Sequence, residues 1–178
     1  IIAVSDVSGG LYDPNGLDIV SLFKYNKKHR TIDGFQEGKK ITNDELLSLK
    51  CDFLIPAALG SAINSNNVDS IKCKVIIEAA NGPVTGGAAD KLWERKIAII
   101  PDILTNAGGV TVSYFEWVQN LQQFKWTEED VNNKLQDKMI NAFNEVYSVK
   151  IDKKIPMRIA SFMVAINRVH QSYMLREG

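Results

Sequence analysis

Cysteine is nearly absent from this 178-residue sequence, which contains only Cys51 and Cys73. Zinc sites and redox pairs need cysteines, or cysteines with histidines, at short regular spacings, and these two residues have neither arrangement. Each stands just before an apolar run, so we interpret both as small buried side chains. Free thiols are typical of a reducing compartment, and we therefore expect a cytoplasmic protein without a metal site.

An excess of charge of either sign is also missing. The sequence has 21 Lys and Arg residues and 21 Asp and Glu residues, so its formal net charge is zero. Such a surface attracts neither nucleic acid nor anionic lipid over long distances, and no apolar run reaches the ~18–20 residues that cross a bilayer. We expect no nucleic-acid partner and no membrane partner.

What remains is the composition of one globular domain, 45% hydrophobic and 24% charged. Four short apolar runs, at residues 1–4, 53–55, 75–77 and 97–100, lack polar alternation, as strands buried on both faces of a parallel sheet do. A helix-like periodicity follows Asp13-Pro14-Asn15-Gly16, a capping box begins at Thr42, and residues 88–94 form a further helical candidate. Residues 1–110 are predicted to alternate strands and helices in an α/β fold, a doubly wound and mainly parallel Rossmann-like sheet.

Residues 111–178 are predicted to be helical. Thr127-Glu128-Glu129-Asp130 forms a second capping box, and apolar residues then follow at spacings of three and four, which predicts a long amphipathic helix. Beyond a polar break at residues 152–156, the apolar positions of residues 160–169 predict a final, heavily buried helix.

Polar and small residues follow the predicted strands. In doubly wound sheets ligands bind beyond the carboxyl ends of the strands, so these residues are the candidates for a binding site. Asp6, after the first strand, is placed to accept hydrogen bonds from both hydroxyls of an adenosine ribose; alone, it would more often cap a turn. No Lys or Arg stands beside it to bind a 2′-phosphate, which favours NAD, although NADP is not excluded.

The residues after the other three strands are either small enough to let a ligand approach the backbone or able to form hydrogen bonds with it. Pro56-Ala57-Ala58 ends the second strand with side chains small enough to admit a ring or ribose, and Asn81 offers a donor and an acceptor after the third. After the fourth, Gly108-Gly109 opens a helix with room for an anion or a carbonyl group. Ser113, one helical turn on, is placed to bind a substrate carboxylate.

Several ordered segments resemble the coenzyme-binding domain of the glutamate dehydrogenases, within the glutamate, leucine, phenylalanine and valine dehydrogenase superfamily. The resemblance covers essentially the whole chain, and its matching segments are Val4-Ser5-Asp6, Pro56-Ala57-Ala58-Leu59, Ala80-Asn81-Gly82-Pro83 and residues 101–117. It implies reversible oxidative deamination of L-glutamate to 2-oxoglutarate and ammonia, with hydride passing to NAD. It also implies a homo-oligomer, a hexamer in the full-length family.

The resemblance assigns a role to each matching position. Asp6 and Val7 would meet the adenosine ribose, Ala57 and Ala58 would line the path of the dinucleotide, and Asn81 and Asn106 would lie beside the nicotinamide. Val110 and Ser113 would face the substrate, Ser113 at its side-chain carboxylate.

Two features of the family are missing from this sequence. One is the Gly-rich fingerprint of the first, central strand; the other is the substrate domain, which supplies the family's catalytic Lys and Asp. We therefore assign no catalytic residue, interpret His29 and His170 as ordinary helix residues, and interpret the strand-like start at Ile1 as a cut. A sheet without its central strand exposes two edges, so the chain alone is expected to be inactive, to be unstable or aggregate, and to bind NAD weakly.

Two alternatives stay open at this point. The first is a dehydrogenase of the leucine, phenylalanine or valine type, because substrate choice also depends on the missing domain. The second is a nucleotide-binding module without catalysis, which only the missing catalytic half supports.

Overall fold

The computed structural model describes residues 1–177 and contains two three-stranded sheets. The first is antiparallel, in the order β1 (Ala3–Asp6), β2 (Gly9–Tyr12) and β3 (Lys39–Ile41). The second is parallel, in the order β4 (Phe53–Leu54), β5 (Val75–Ile77) and β6 (Ala98–Ile100). The expected α/β fold with a parallel sheet and C-terminal helices is therefore present.

The first predicted strand has a different neighbour from the one expected. β1 begins two residues later than predicted, and the described strand that pairs with it is antiparallel, with Val4 opposite Leu11. The chain reverses after Asp6 through Gly9, whose φ of 125° is a conformation that only glycine adopts readily. β1 and β4 are therefore edge strands of two separate sheets. The sequence predicts that both belong to one sheet and that the missing central strand lies between them.

Seven α-helices and one 3-10 turn connect and follow the strands within residues 1–177. They are α1 (Ile19–His29), α2 (Asn43–Leu47), the turn Val68–Ser70, α3 (Gly86–Glu94), α4 (Asp102–Thr105), α5 (Ala107–Gln122), α6 (Glu128–Lys153) and α7 (Met157–Glu177). Both predicted capping boxes form, at Thr42 and Thr127. No helix in the described chain combines the length and the apolar character that crossing a membrane requires.

Three apolar clusters hold these elements together. Leu11, Leu22 and Ile32 pack beneath the antiparallel sheet. The largest cluster joins the parallel sheet to α3 and includes Ile76 and Leu92, both fully buried. The third cluster joins α4, α6 and the first half of α7.

The short helix α2 links the two sheets. The Asn43 side-chain amide donates to the Asp6 backbone oxygen at 3.3 Å, while Leu46 and Leu47 pack against the cluster beside the parallel sheet. The end of β1 is therefore tied to the parallel sheet through α2.

The predicted burial is wrong at β4 and in the final helix, among other places. β4 is buried on one face only, because Leu54 enters the core whereas Phe53, 61% exposed, and Ile55 meet solvent. The final helix is buried only in its first half, and Val169 is 70% exposed. In both places the described chain supplies no layer to cover the second apolar surface.

Candidate functional site

The loops after β4 and β5 are joined at the carboxyl edge of the parallel sheet. The Pro56 carbonyl accepts from the backbone N–H groups of Ala79 and Ala80, at 3.2 and 3.0 Å. A Cβ atom on Gly60 would lie only 3.2 Å from the Asn81 backbone oxygen. Glycine at this position therefore allows the two loops to approach closely.

Asn81 and Asn106 form a pair at this edge. The Asn106 Nδ2 atom donates to the Asn81 Oδ1 atom at 2.6 Å, and both residues are exposed. An amide side chain has two N–H donors and an acceptor oxygen. Within residues 1–177, the Asn81 Nδ2 and Asn106 Oδ1 atoms make no further hydrogen bond, so this exposed pair keeps one donor group and one acceptor that are not used within the protein.

The turn that contains Asn81 is held from below by Asp102, the first residue of α4. The Asp102 carboxylate accepts from the Gly82 backbone N–H at 2.7 Å. The backbone N–H of Asp102 donates in turn to the Glu78 carboxylate at 2.9 Å. The ends of β5 and β6 are thereby joined through side-chain carboxylates.

Glu78 is a buried carboxylate that our sequence analysis missed. Its side chain is fully buried, and Arg158 of α7 donates to both of its oxygens at 2.5 Å. Burial raises the pKa of Glu78, whereas the Asp102 N–H and the Arg158 charge work in the opposite direction. A lone Glu directly after a buried strand was the available sequence signal, since a buried carboxylate requires a cation or hydrogen-bond donors.

Asp6 lies at the reversal between β1 and β2. Its carboxylate accepts from the Ser8 N–H at 2.7 Å, from the Ser8 hydroxyl at 2.5 Å, and from the Ile32 N–H at 2.9 Å. Partial burial works to raise the pKa of Asp6, but these hydrogen bonds outweigh it and the pKa lies below its ordinary value. A carboxylate has about four acceptor positions, and Asp6 uses at least three of them to hold this turn.

The other predicted residues occupy exposed positions. Val7 is at the tip of the hairpin and is 100% exposed, and Ala57 and Ala58 are exposed in the loop after β4. Val110 and Ser113 lie three residues apart on α5, one turn of the helix, and both are exposed. The Ser113 hydroxyl donates to the Gly109 carbonyl.

The predicted residues therefore fall into two groups. The loops after β4 and β5 bring Ala57 and Ala58 near Asn81, and Asn106 connects this edge to the start of α5. Asp6 and Val7 belong to the other sheet. In the described chain, no hydrogen bond or ion pair joins Asp6 to either asparagine of the first group.

The histidine and cysteine side chains show no further site within residues 1–177. His29 stacks on Tyr25 with ring centroids 4.2 Å apart. Burial raises the pKa of Cys73 to about 11 and also raises that of Cys51, so both are poor nucleophiles at neutral pH. Residues 1–177 contain no group of three His, Cys, Asp or Glu side chains arranged for a metal ion.

Comparison with known proteins assigns this arrangement to a family. The profile of the Glutamate/Leucine/Phenylalanine/Valine dehydrogenase family matches residues 1–178. The chain is 50% identical over 169 residues to a glutamate dehydrogenase of Thermotoga maritima, covering 95% of this chain and 41% of that protein. It is 45% identical over 176 residues to an NAD-specific glutamate dehydrogenase of Staphylococcus aureus, covering 99% and 42%.

A solved structure shows the same fold. The hetero-hexameric glutamate dehydrogenase of Thermus thermophilus, in its leucine-bound form, superposes with a TM-score of 0.90 at 24% identity. The superposition covers 98% of this chain and 41% of that one. The chain thus spans about two fifths of the length of the relatives it matches.

Proposed function

The chain belongs to the Glutamate/Leucine/Phenylalanine/Valine dehydrogenase family, and on that premise we propose that it is the coenzyme-binding part of an oxidoreductase. The proposed reaction is the reversible, NAD-dependent oxidative deamination of L-glutamate to 2-oxoglutarate and ammonia. Both curated relatives described above are glutamate dehydrogenases, which supports glutamate among the amino acids of the family. Because the chain spans only part of those relatives, the activity is proposed for a whole protein of which this chain would be one part.

The observation on which the proposal depends is the Asn81–Asn106 pair. In the described chain it leaves one amide donor group and one amide acceptor without a protein partner at the carboxyl edge of the parallel sheet. The carboxamide of nicotinamide has the complementary groups, a carbonyl oxygen and an NH₂. Bound NAD would supply the hydride acceptor, and the two asparagines would orient its nicotinamide ring.

Asp6 supports NAD rather than NADP. Its hydrogen bonds lower the carboxyl pKa, so the group is ionised at neutral pH. A carboxylate accepts a hydrogen bond from a ribose hydroxyl and repels a 2′-phosphate. The Staphylococcus aureus relative is NAD-specific, which agrees with this choice.

The remaining assignments follow from family membership. Val110 and Ser113 are proposed to face the substrate, with Ser113 at its side-chain carboxylate, and Ala57 and Ala58 to line the dinucleotide path. The catalytic Lys and Asp are proposed to lie outside this chain, so the 178 residues alone are predicted to be inactive. A hexamer and a cytoplasmic location remain predictions.

Coenzyme titrations test the binding assignment. We expect the chain to bind NAD more tightly than NADP and Asp6→Asn to narrow that preference by about tenfold, the effect of one hydrogen bond to a charged group. Asp90→Asn is the control, since Asp90 is exposed on α3 and makes no side-chain hydrogen bond or ion pair in the described chain. Equal affinity for the two coenzymes would contradict the assignment to Asp6.

The substrate is tested on a longer product. The coding sequence is read upstream of Ile1, and its product is assayed with glutamate, leucine and phenylalanine. Fastest turnover of glutamate is the expected result. Equal rates on the three would refute glutamate as the substrate, and a stop codon directly upstream would favour a module without catalysis.

A further inference from the structure

Arg158 is the cation at the centre of the scaffold beneath the Asn81–Asn106 pair. It lies on α7, 80 residues after Glu78, and its guanidinium reaches both carboxylates at the end of the parallel sheet. One nitrogen donates to both Glu78 oxygens at 2.5 Å, and the other donates to an Asp102 oxygen at 3.2 Å. No other described element supplies a cation to either carboxylate.

These contacts continue to the asparagine pair in two steps. Asp102 uses one carboxylate oxygen for Arg158 and the other for the Gly82 N–H, at 2.7 Å. Gly82 directly follows Asn81, so the bond to Gly82 sets the turn that carries the Asn81 side chain. Asp102 also begins α4, at whose end Asn106 donates to Asn81.

The charge of Arg158 is required at this place. Glu78 is fully buried and Asp102 is 18% exposed, while the Arg158 side chain is 25% exposed. Two carboxylates held together away from water repel each other unless a cation lies between them. Without Arg158, repulsion from Glu78 would drive the Asp102 carboxylate toward solvent. The hydrogen bond that it accepts from the Gly82 N–H would then weaken or break.

We propose that Arg158 is a positioning residue for the Asn81–Asn106 pair, acting through Asp102 and the Gly82 N–H. That the pair binds a nicotinamide group rests on the function proposed above. That Arg158 positions the pair does not, because it concerns only contacts within this chain.

Deuterium exchange at the Gly82 amide tests the positioning role. The rate is read by mass spectrometry with fragmentation on a dilute sample of the chain, together with that of Leu92, a fully buried residue of α3 that reports global unfolding. The Gly82 opening constant minus the Leu92 opening constant measures local opening, and the Gly82 ratio is this difference divided by its value in the unaltered chain. In Arg158→Met we expect the ratio to rise by about tenfold or more, the loss of one hydrogen bond to a carboxylate.

Arg168→Met is the matched control. Arg168 lies on the same helix and pairs with Glu145, but both side chains are about half exposed and neither contacts the strand ends. The Gly82 ratio should not change in this variant. An unchanged ratio in Arg158→Met as well would overturn the proposal.

The conservative variant Arg158→Lys separates positioning from folding. It keeps the charge but loses the guanidinium that spans both carboxylates, so an intermediate rise of the Gly82 ratio is expected. If Arg158→Met does not fold, this variant decides, and no rise in it would reject the positioning role.

Nucleotide affinity gives the functional readout. NAD and ADP-ribose differ in the nicotinamide group, so Arg158→Lys should weaken NAD binding and leave ADP-ribose binding unchanged. Equal weakening of both would assign Arg158 a general structural role instead. If the unaltered chain binds neither nucleotide even at millimolar concentration, the proposed function fails, while the Gly82 ratio still decides the positioning role.

Discussion

Replacing Arg158 with Met removes its ion pairs with Glu78 and Asp102, and should destabilise the folded chain far more than the loss of an exposed ion pair such as Arg168–Glu145. The variant leaves Glu78, fully buried, without its cation. Removing one partner of a buried pair costs about 3–5 kcal/mol, and the 25% exposure of the Arg158 side chain places the expected loss near the lower end. Arg168→Met breaks the exposed pair with Glu145 and should cost about 0–1 kcal/mol.

Urea unfolding of the two variants, followed by circular dichroism, measures this difference. The double variant Glu78→Gln with Arg158→Met removes the Glu78 and Arg158 charges and should recover part of the loss, because the fully buried position then carries no unpaired charge. Recovery is partial because Asp102 still lacks its cation. Equal destabilisation by Arg158→Met and Arg168→Met would refute the reasoning.

The loss in Arg158→Met should also depend on pH. Burial raises the folded-state pKa of Glu78 above its ordinary value of 4.5, and removal of Arg158 raises it further. A folded state with a raised carboxyl pKa binds the proton more tightly than the unfolded state, so stability is regained as pH falls through the folded pKa. The loss is therefore largest at neutral pH and smaller near the Glu78 pKa; a loss that grows on acidification would contradict this sign.

Three further predictions concern single elements. The Asp6 carboxyl should titrate below 3.8 in a carbon-13 NMR series, so its stabilising contribution is present above that pH and disappears as pH falls through the folded pKa; a higher midpoint would mean that its hydrogen bonds are absent in solution. Thr127→Ala should cost about 0.5–2 kcal/mol in urea unfolding by removing the α6 cap, with Thr127→Ser as the neutral control. Leu92→Ala should cost about 2–5 kcal/mol and the exposed Leu121→Ala within about 0.5 kcal/mol, and similar costs for the two would argue against the assigned core.

The best-predicted elements are those whose local sequence favours a single secondary structure. β5 occupies the predicted residues 75–77, because three consecutive large aliphatic residues with two β-branched types favour a buried strand. The capping boxes at Thr42 and Thr127 form because the hydroxyl and carboxylate lie three residues apart and satisfy each other's backbone N–H groups.

The elements that were missed depend on partners that are distant in the chain. β2 begins with two glycines and β3 with two lysines, residues that strands disfavour, so only the pairing of β2 with β1 and of β3 with β2 reveals them. Periodicity shows that α7 has an apolar face but not how much of that face is covered. The partner of Glu78 is 80 residues away, and no local pattern identifies it as Arg158.

The sequence predicts the part of the candidate site that sheet topology brings together, but not the part that depends on distant partners. Successive strand ends meet at one edge of a parallel sheet, which is why Asn81 and Asn106 come into contact although 25 residues separate them. The antiparallel reversal that holds Asp6 depends on Ser8 and Ile32, and neither residue was linked to Asp6 by the strand pattern. The roles of these residues toward a coenzyme remain predictions.

An amide NMR titration of the chain with NAD, extended to millimolar concentration, tests the central claim most directly. If the chain is the coenzyme-binding part of a dehydrogenase, the shifted amides should cluster at residues 6–8, 57–58, 81–82 and 106–113, and Asp6→Asn should remove the first of these clusters. Shifts confined to other surfaces, or no shifts even at millimolar NAD, would contradict it.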